Sequence, residues 1–296
     1  MDKQVELPET PNPGHLARCA QLAMVLEVAA SPKPGNVDRD HDYPDTTFEH
    51  FLASAIGTYP VLEKAARSQG IGVGGGVGAL IHAAAKESSR WQRGGNTHFG
   101  AFVLIIPLLI AMGSNRAVSE IVEKTTSEDA VEFYHAFSIA DVRIDSVPEF
   151  DLAESDSIEG IQEAGTRLFD LMKLSADHDL IANEWVTGFI RTFRCADLLI
   201  EKTATMTIND AIVCTFLQML AETPDTFIQT KFGREKSIEV SERAFEVISG
   251  SMDLDSIKPR VHEFDERLIR EKVNPGSTAD IIIGGLFVAL VRGLEV

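Results

Sequence analysis

Residues 16–45 read LARCAQLAMVLEVAASPKPGNVDRDHDYPD. The first half places Leu16, Ala20, Ala23, Met24 and Val28 on one stripe at helical spacing. The second half, SPKPGNVDRDHDYPD, exceeds the roughly 2–8 residues of an ordinary helix connection. Pro32 and Pro34 fix the backbone on either side of Lys33, and Gly35 permits a tight turn. Helical periodicity then resumes. Thr46 with Glu49 reads as a capping box opening a helix over residues 48–67. Residues 79–86 are alanine-rich, and 180–203 and 208–221 continue the helical pattern. Thr223-Pro224 leads into a long polar helix over 225–249. Strand signals are scarce: residues 142–147 alternate only faintly. The expected fold is all-α, one globular multi-helix domain over residues 1–296, of about ten helices. The acidic stretch 145–159 reads as a surface loop between two halves.

The chain has 296 residues, 45 of them Asp or Glu against 27 Lys or Arg, for a net charge of −18. Such a chain repels nucleic-acid backbones and anionic membrane surfaces, so neither is expected as a partner, and any anionic ligand must be held by local donors. The acidity fits a salt-rich cytoplasm, where charge repulsion is screened. Cys19, Cys195 and Cys214 show no metal-ligand spacing and read as buried thiols of a reduced, intracellular protein. The polar start MDKQVELPET shows no signal peptide. Residues 101–112 and 281–291 are apolar but short of the roughly 20 needed to span a bilayer. They read as buried helices, with the last one packing in the core or across a homodimer.

Several segments carry chemistry. Residues 70–78, GIGVGGGVG, contain a nominal GxGxxG at Gly70, Gly72 and Gly75, but a helical segment precedes it where a dinucleotide fold needs a strand. It reads as a turn before a helix. In GGNTHFG (94–100), Asn96 or Thr97 is a natural helix cap, and the same helix start suits an anion, with His98 as a further donor. In NPGSTAD (274–280), Ser277 and Asp280 read as a capping box, yet Asp280 heads an otherwise apolar helix and a buried carboxylate needs a partner or a metal. In the opening loop, Lys33 beside Asp38 and Arg39 suits a triphosphate with Mg²⁺. Lys231 and Glu235 pair on a solvated helix face. His41-Asp42 and His178-Asp179 are similar to the pair of metal-dependent phosphohydrolases, without that family's further helical ligands.

Taken in order, SPKPGNVDR, FLASA, GGNTHFGAF, DTFIQTKFG and NPGSTAD resemble the triphosphoribosyl-dephospho-CoA synthase family. Its members carry similar PKPG-x-VDR, NTH-x-G and PGGSAD signatures. PGST where the family has PGGS, and DHDYPD after VDR, mark a divergent, archaeal-type branch. The resemblance implies an all-α transferase that moves the triphosphoribosyl group of Mg·ATP onto a ribose hydroxyl of 3′-dephospho-CoA and releases adenine. It further implies that Lys33 and Arg39 hold phosphate, with Gly35 in the same nucleotide loop. Asn96, Thr97 and His98 would line the nucleotide site. Asp38 and Asp280 would bind Mg²⁺ or act on the ribose, with Ser277 beside Asp280; Asp38, Asp280 and His98 form the expected catalytic set. The alternatives are a related ATP-dependent ribosyl transfer to another acceptor, a metal-dependent phosphohydrolase, and a non-catalytic nucleotide-binding protein.

Overall fold

The computed structural model describes residues 12–69, 76–140, 155–251 and 253–296. Among them the chain forms sixteen α-helices and no strand. The first half runs α1 (Pro13–Ala29), α2 (Phe48–Gly57), α3 (Tyr59–Arg67), α4 (Val77–Trp91), α5 (Phe99–Ser114), α6 (Val118–Glu123) and α7 (Ser127–Ala140). The middle holds α8 (Ser155–Ala164), α9 (Leu168–Ser175), α10 (Leu180–Thr187), α11 (Ile190–Thr203) and α12 (Ile208–Glu222). The chain closes with α13 (Thr226–Phe232), α14 (Arg234–Ile248), α15 (Leu254–Glu271) and α16 (Gly276–Val291).

The class is the expected one, but the count is sixteen rather than about ten. Three expected helices are each divided by local backbone chemistry. The 48–67 segment breaks at Thr58, just ahead of Pro60, which brings no amide hydrogen to α3. The 180–203 segment breaks at Gly188 and Phe189, both left-handed with φ of 73° and 63°. The 225–249 segment breaks at Gly233, φ 88°. The cap of α2 is Thr47, whose N–H donates to His50 Nδ1 at 3.0 Å, while Thr46 donates to the Gly94 carbonyl. Residues 155–159, expected in a loop, open α8; 142–147 lie outside the described residues. So do Gly70, Gly72 and Gly75. Gly76 and Gly78 lie against Asp129, whose carboxylate accepts the Gly78 N–H at 2.8 Å, and a Cβ on either glycine would collide with it.

One connected apolar core receives a buried residue from every helix. At its centre are the two short apolar helices. In α5 every residue from Ala101 to Ala111 is buried, and α16 is buried from Ile281 to Leu290. The last helix thus packs in the chain's own core, against α1, α5, α11 and α12. Glycines set its approach to α11: a Cβ on Gly285 would lie 2.4 Å from Cys195 Sγ. All three cysteines are free and buried. No helix among the described residues is long and apolar enough to cross a membrane.

Gly285→Ala should therefore cost about 1–3 kcal/mol by forcing α16 from α11. Urea denaturation of Gly285→Ala, Cys195→Ala and the double variant checks this: the double variant should recover part of the loss.

Candidate active site

The opening loop is organised around a carboxylate. Asp38 is fully buried; its Oδ2 accepts the Lys33 N–H at 3.0 Å, and its Oδ1 accepts the N–H groups of Asp40 (2.8 Å) and His41 (3.0 Å). Gly35, at φ +74°, donates its N–H to Asp265 Oδ1 at 3.0 Å, and a Cβ there would lie 2.3 Å from the Val273 carbonyl. The loop is thereby locked onto the chain just ahead of α16. Lys33 is also fully buried. Its ammonium lies 2.8 Å from Glu27 Oε1 on α1 and donates to the Val37 carbonyl at 3.0 Å. Arg39 points outward, exposed, and donates to Asn209.

Beside this loop lies a cavity of about 250 Å³. Four helices, α5, α10, α13 and α16, begin at its wall. Side chains cap those starts and tie them together. Asn96 Oδ1 accepts the Phe99 N–H at 3.0 Å, which is the cap expected from sequence. Asp179 caps α10 through the N–H groups of Ile181 and Ala182. Asp225 caps α13 through the Ile228 N–H and, with its other oxygen, accepts the Thr278 N–H (2.7 Å) and hydroxyl (2.8 Å) of α16. Ser277 is not a cap of its own helix: its hydroxyl meets Thr226 Oγ1 and accepts the Phe227 N–H across to α13. Asp280 reaches the start of α5, where the Ala101 N–H donates to it. A Cβ on Gly100 would lie 2.1 Å from Asp280 Oδ2, so only glycine admits that carboxylate.

Three acidic residues therefore line the cavity, Glu27, Asp179 and Asp280. Burial, and after it the neighbouring charges of Glu27 and Asp225, hold the Asp280 carboxyl well above the usual range. Burial also raises Glu27, against the lowering effect of Lys33. His98 lies behind the wall, buried between Phe51 and Phe102, with Nδ1 2.9 Å from Ser54 Oγ. Burial, with the Lys33 charge beside it, lowers His98 to about 3, so it stays neutral.

Of the residues singled out in the sequence, Asn96, Thr97, His178, Asp179, Ser277 and Asp280 come together at the cavity. Lys33, Gly35, Asp38 and His98 are buried outside its lining, and Arg39 is exposed away from it. Sequence reading missed Glu27, a lone acid in an apolar helix, which is itself the signal that a buried charge needs a reason. It also passed over Asn36, Asn274 and the aromatic wall of Phe99, Phe133 and Phe137. The start of DTFIQTKFG, read as solvated, contributes Thr226, Phe227 and Thr230. Of the two His-Asp pairs, Asp42 accepts the Phe48 N–H at the start of α2, His41 sits 2.9 Å from Asp265, and Asp179 caps α10.

The model of the ATP:dephospho-CoA triphosphoribosyl transferase family matches residues 13–296. The chain belongs to that family. Among solved structures it is similar to one from Archaeoglobus fulgidus described as a triphosphoribosyl-dephospho-CoA synthase. The two share 26% identity with a TM-score of 0.66, over 82% of this chain and 100% of the other. No curated protein matches. Membership makes the chain an ATP-dependent triphosphoribosyl transferase. In this family setting, the NTH-x-G glycine and the PGGSAD-type aspartate meet as Gly100 against Asp280.

Gly100→Ala should lower transferase activity about 100-fold by displacing Asp280, with the fold retained by circular dichroism. A second expectation concerns His98. Its folded value, about 3, lies below the ordinary 6.5, so the unfolded chain takes up that proton more readily. The corresponding stability is full above about pH 6.5 and is lost as pH falls towards 3. Urea denaturation at pH 7 and pH 5 should show a shallower acid loss in His98→Asn than in the parent chain.

Proposed function

We propose that the cavity at the starts of α5 and α16 is where Mg·ATP and dephospho-CoA react. The observation that supports this most is the Gly100–Asp280 contact, which brings two distant motifs into one wall with Glu27. In the family reaction a ribose hydroxyl of the acceptor attacks C1′ of ATP, the C1′–N9 bond breaks, and adenine leaves with a proton. Positive charge develops at C1′ as that bond lengthens, and fixed carboxylates in a partly closed cavity stabilise it.

The triphosphate needs neutralising, and the cavity wall carries no lysine or arginine among the described residues. The starts of α5, α10 and α16 supply favourable dipoles. Among the described residues no three His, Cys, Asp or Glu side chains form a metal cage. Mg²⁺ is commonly held by one or two carboxylates plus substrate phosphates, and Glu27 with Asp280 is such a donor set. Mg²⁺ bound there would offset the charge of the triphosphate. Lys33 acts beneath the site by compensating Glu27, and Asp38 by fixing the loop. Both roles differ from the direct contacts the sequence suggested.

Chromatographic detection of free adenine, with ATP, Mg²⁺ and protein in high salt, tests this reading. Adenine should appear only when dephospho-CoA is added, and Glu27→Gln and Asp280→Asn should each reduce it about 100-fold or more. Adenine released without dephospho-CoA would point to another acceptor. Phosphate release without adenine would support the hydrolase alternative.

A further inference from the structure

We propose that the wall formed by Phe99, Phe133 and Phe137 is a purine subsite, which seats the adenine ring of a substrate while its ribose lies towards Asp280. This rests on the reading that the two nucleotides meet in the cavity, and it names the group held at the wall. All three rings line the cavity. Phe137 lies 4.7 Å from both Phe99 and Phe133, tilted 53° to the first and perpendicular to the second. Phe99 and Phe133 are buried and held by α5 and α7, so the wall is built from rigid elements, while Phe137 is only partly buried.

The lining combines two kinds of surface: the aromatic wall, and the acids Glu27, Asp179 and Asp280. Phe99 directly precedes Gly100, on which the Asp280 carboxylate rests, so the wall and that carboxylate adjoin. A flat base against the wall places its glycosidic bond towards the carboxylates. Two polar atoms of lining residues also lack a hydrogen-bond partner among the described residues. They are the buried Nδ2 of Asn36, a residue 4% exposed, and the buried Oδ1 of Asn274. A buried donor and acceptor left open at a cavity wall await a polar ligand. A nucleoside meets both demands, with a π-face for the wall and hydroxyls for the amides. The pantetheine arm of the acceptor is flexible and amide-rich, and an aromatic wall gives its amides no partner.

ATP and dephospho-CoA both carry adenine, so the test separates them. Binding of adenosine, of pantetheine and of Mg²⁺ with inorganic tripolyphosphate is measured by calorimetry for the parent chain, Phe137→Ala and Phe137→Trp. Phe137→Leu replaces the alanine variant if that one does not fold. Loss of the ring should weaken adenosine about 10-fold or more. Phe137→Trp should retain adenosine, and tripolyphosphate and pantetheine should be unaffected. Steady-state kinetics then assigns the source: a raised KM for ATP alone places the ATP base on the wall, and a raised KM for dephospho-CoA alone places the acceptor's base there. Unchanged adenosine binding in Phe137→Ala, or a selective loss of pantetheine, overturns the proposal. Adenosine binding requires no turnover. A chain that binds adenosine through Phe137 but releases no adenine would sink the functional reading and leave the subsite standing.

Discussion

The close approach of Asp280 to Gly100 is the contact on which the site depends. It requires a residue without Cβ at the start of α5, an aspartate one turn into α16, and two helices near enough to share the space. Neighbouring contacts maintain that distance. Asp225 bonds the first turn of α16 to α13, Ser277 crosses to the same helix, and Gly35 locks the opening loop against Val273 just before α16 begins. Each is a short-range contact between segments far apart in sequence, and together they join four separate motifs.

The charge of the site follows from the same geometry. A chain with net charge −18 that handles a triphosphate faces a general repulsion. It sets Asp179, Asp225 and Asp280 against helix starts, where dipoles lessen their cost, and pairs Glu27, in the last turn of α1, with Lys33. The buried lysine offsets a carboxylate of the wall and does not itself line the cavity. The proposed site would thereby favour positive charge, as a developing oxocarbenium centre requires.

The helical class was legible because the apolar spacing of the segments is strong; α5 and α16 in particular contain little else. The helix count was not, because Gly188, Phe189 and Gly233 break helices through left-handed backbone that periodicity does not register. The cap at Asn96 and the need of Asp280 for a partner, met by the Ala101 N–H, were legible from local chemistry. Lys33 and Asp38 were read from sequence as ligands of phosphate and Mg²⁺; the burial of their loop against α1 and α15, with Lys33 paired to Glu27, shows only in the fold. Glu27 and the aromatic wall were hidden for the opposite reason: within apolar helices they look like core, and only the fold shows them bordering a cavity.

The central claim is that substrate meets the Gly100–Asp280 wall, with Asn36 as the opening loop's contribution, and does not touch Lys33 or Arg39. A crystal structure of the protein with Mg²⁺, ATP and dephospho-CoA, using Asp280→Asn to slow turnover, addresses it most directly. The account expects the ATP ribose beside residue 280 and Glu27, with Lys33 still paired to Glu27 beneath the site. Triphosphate bound directly to Lys33 and Arg39, with the ribose away from α16, would contradict it.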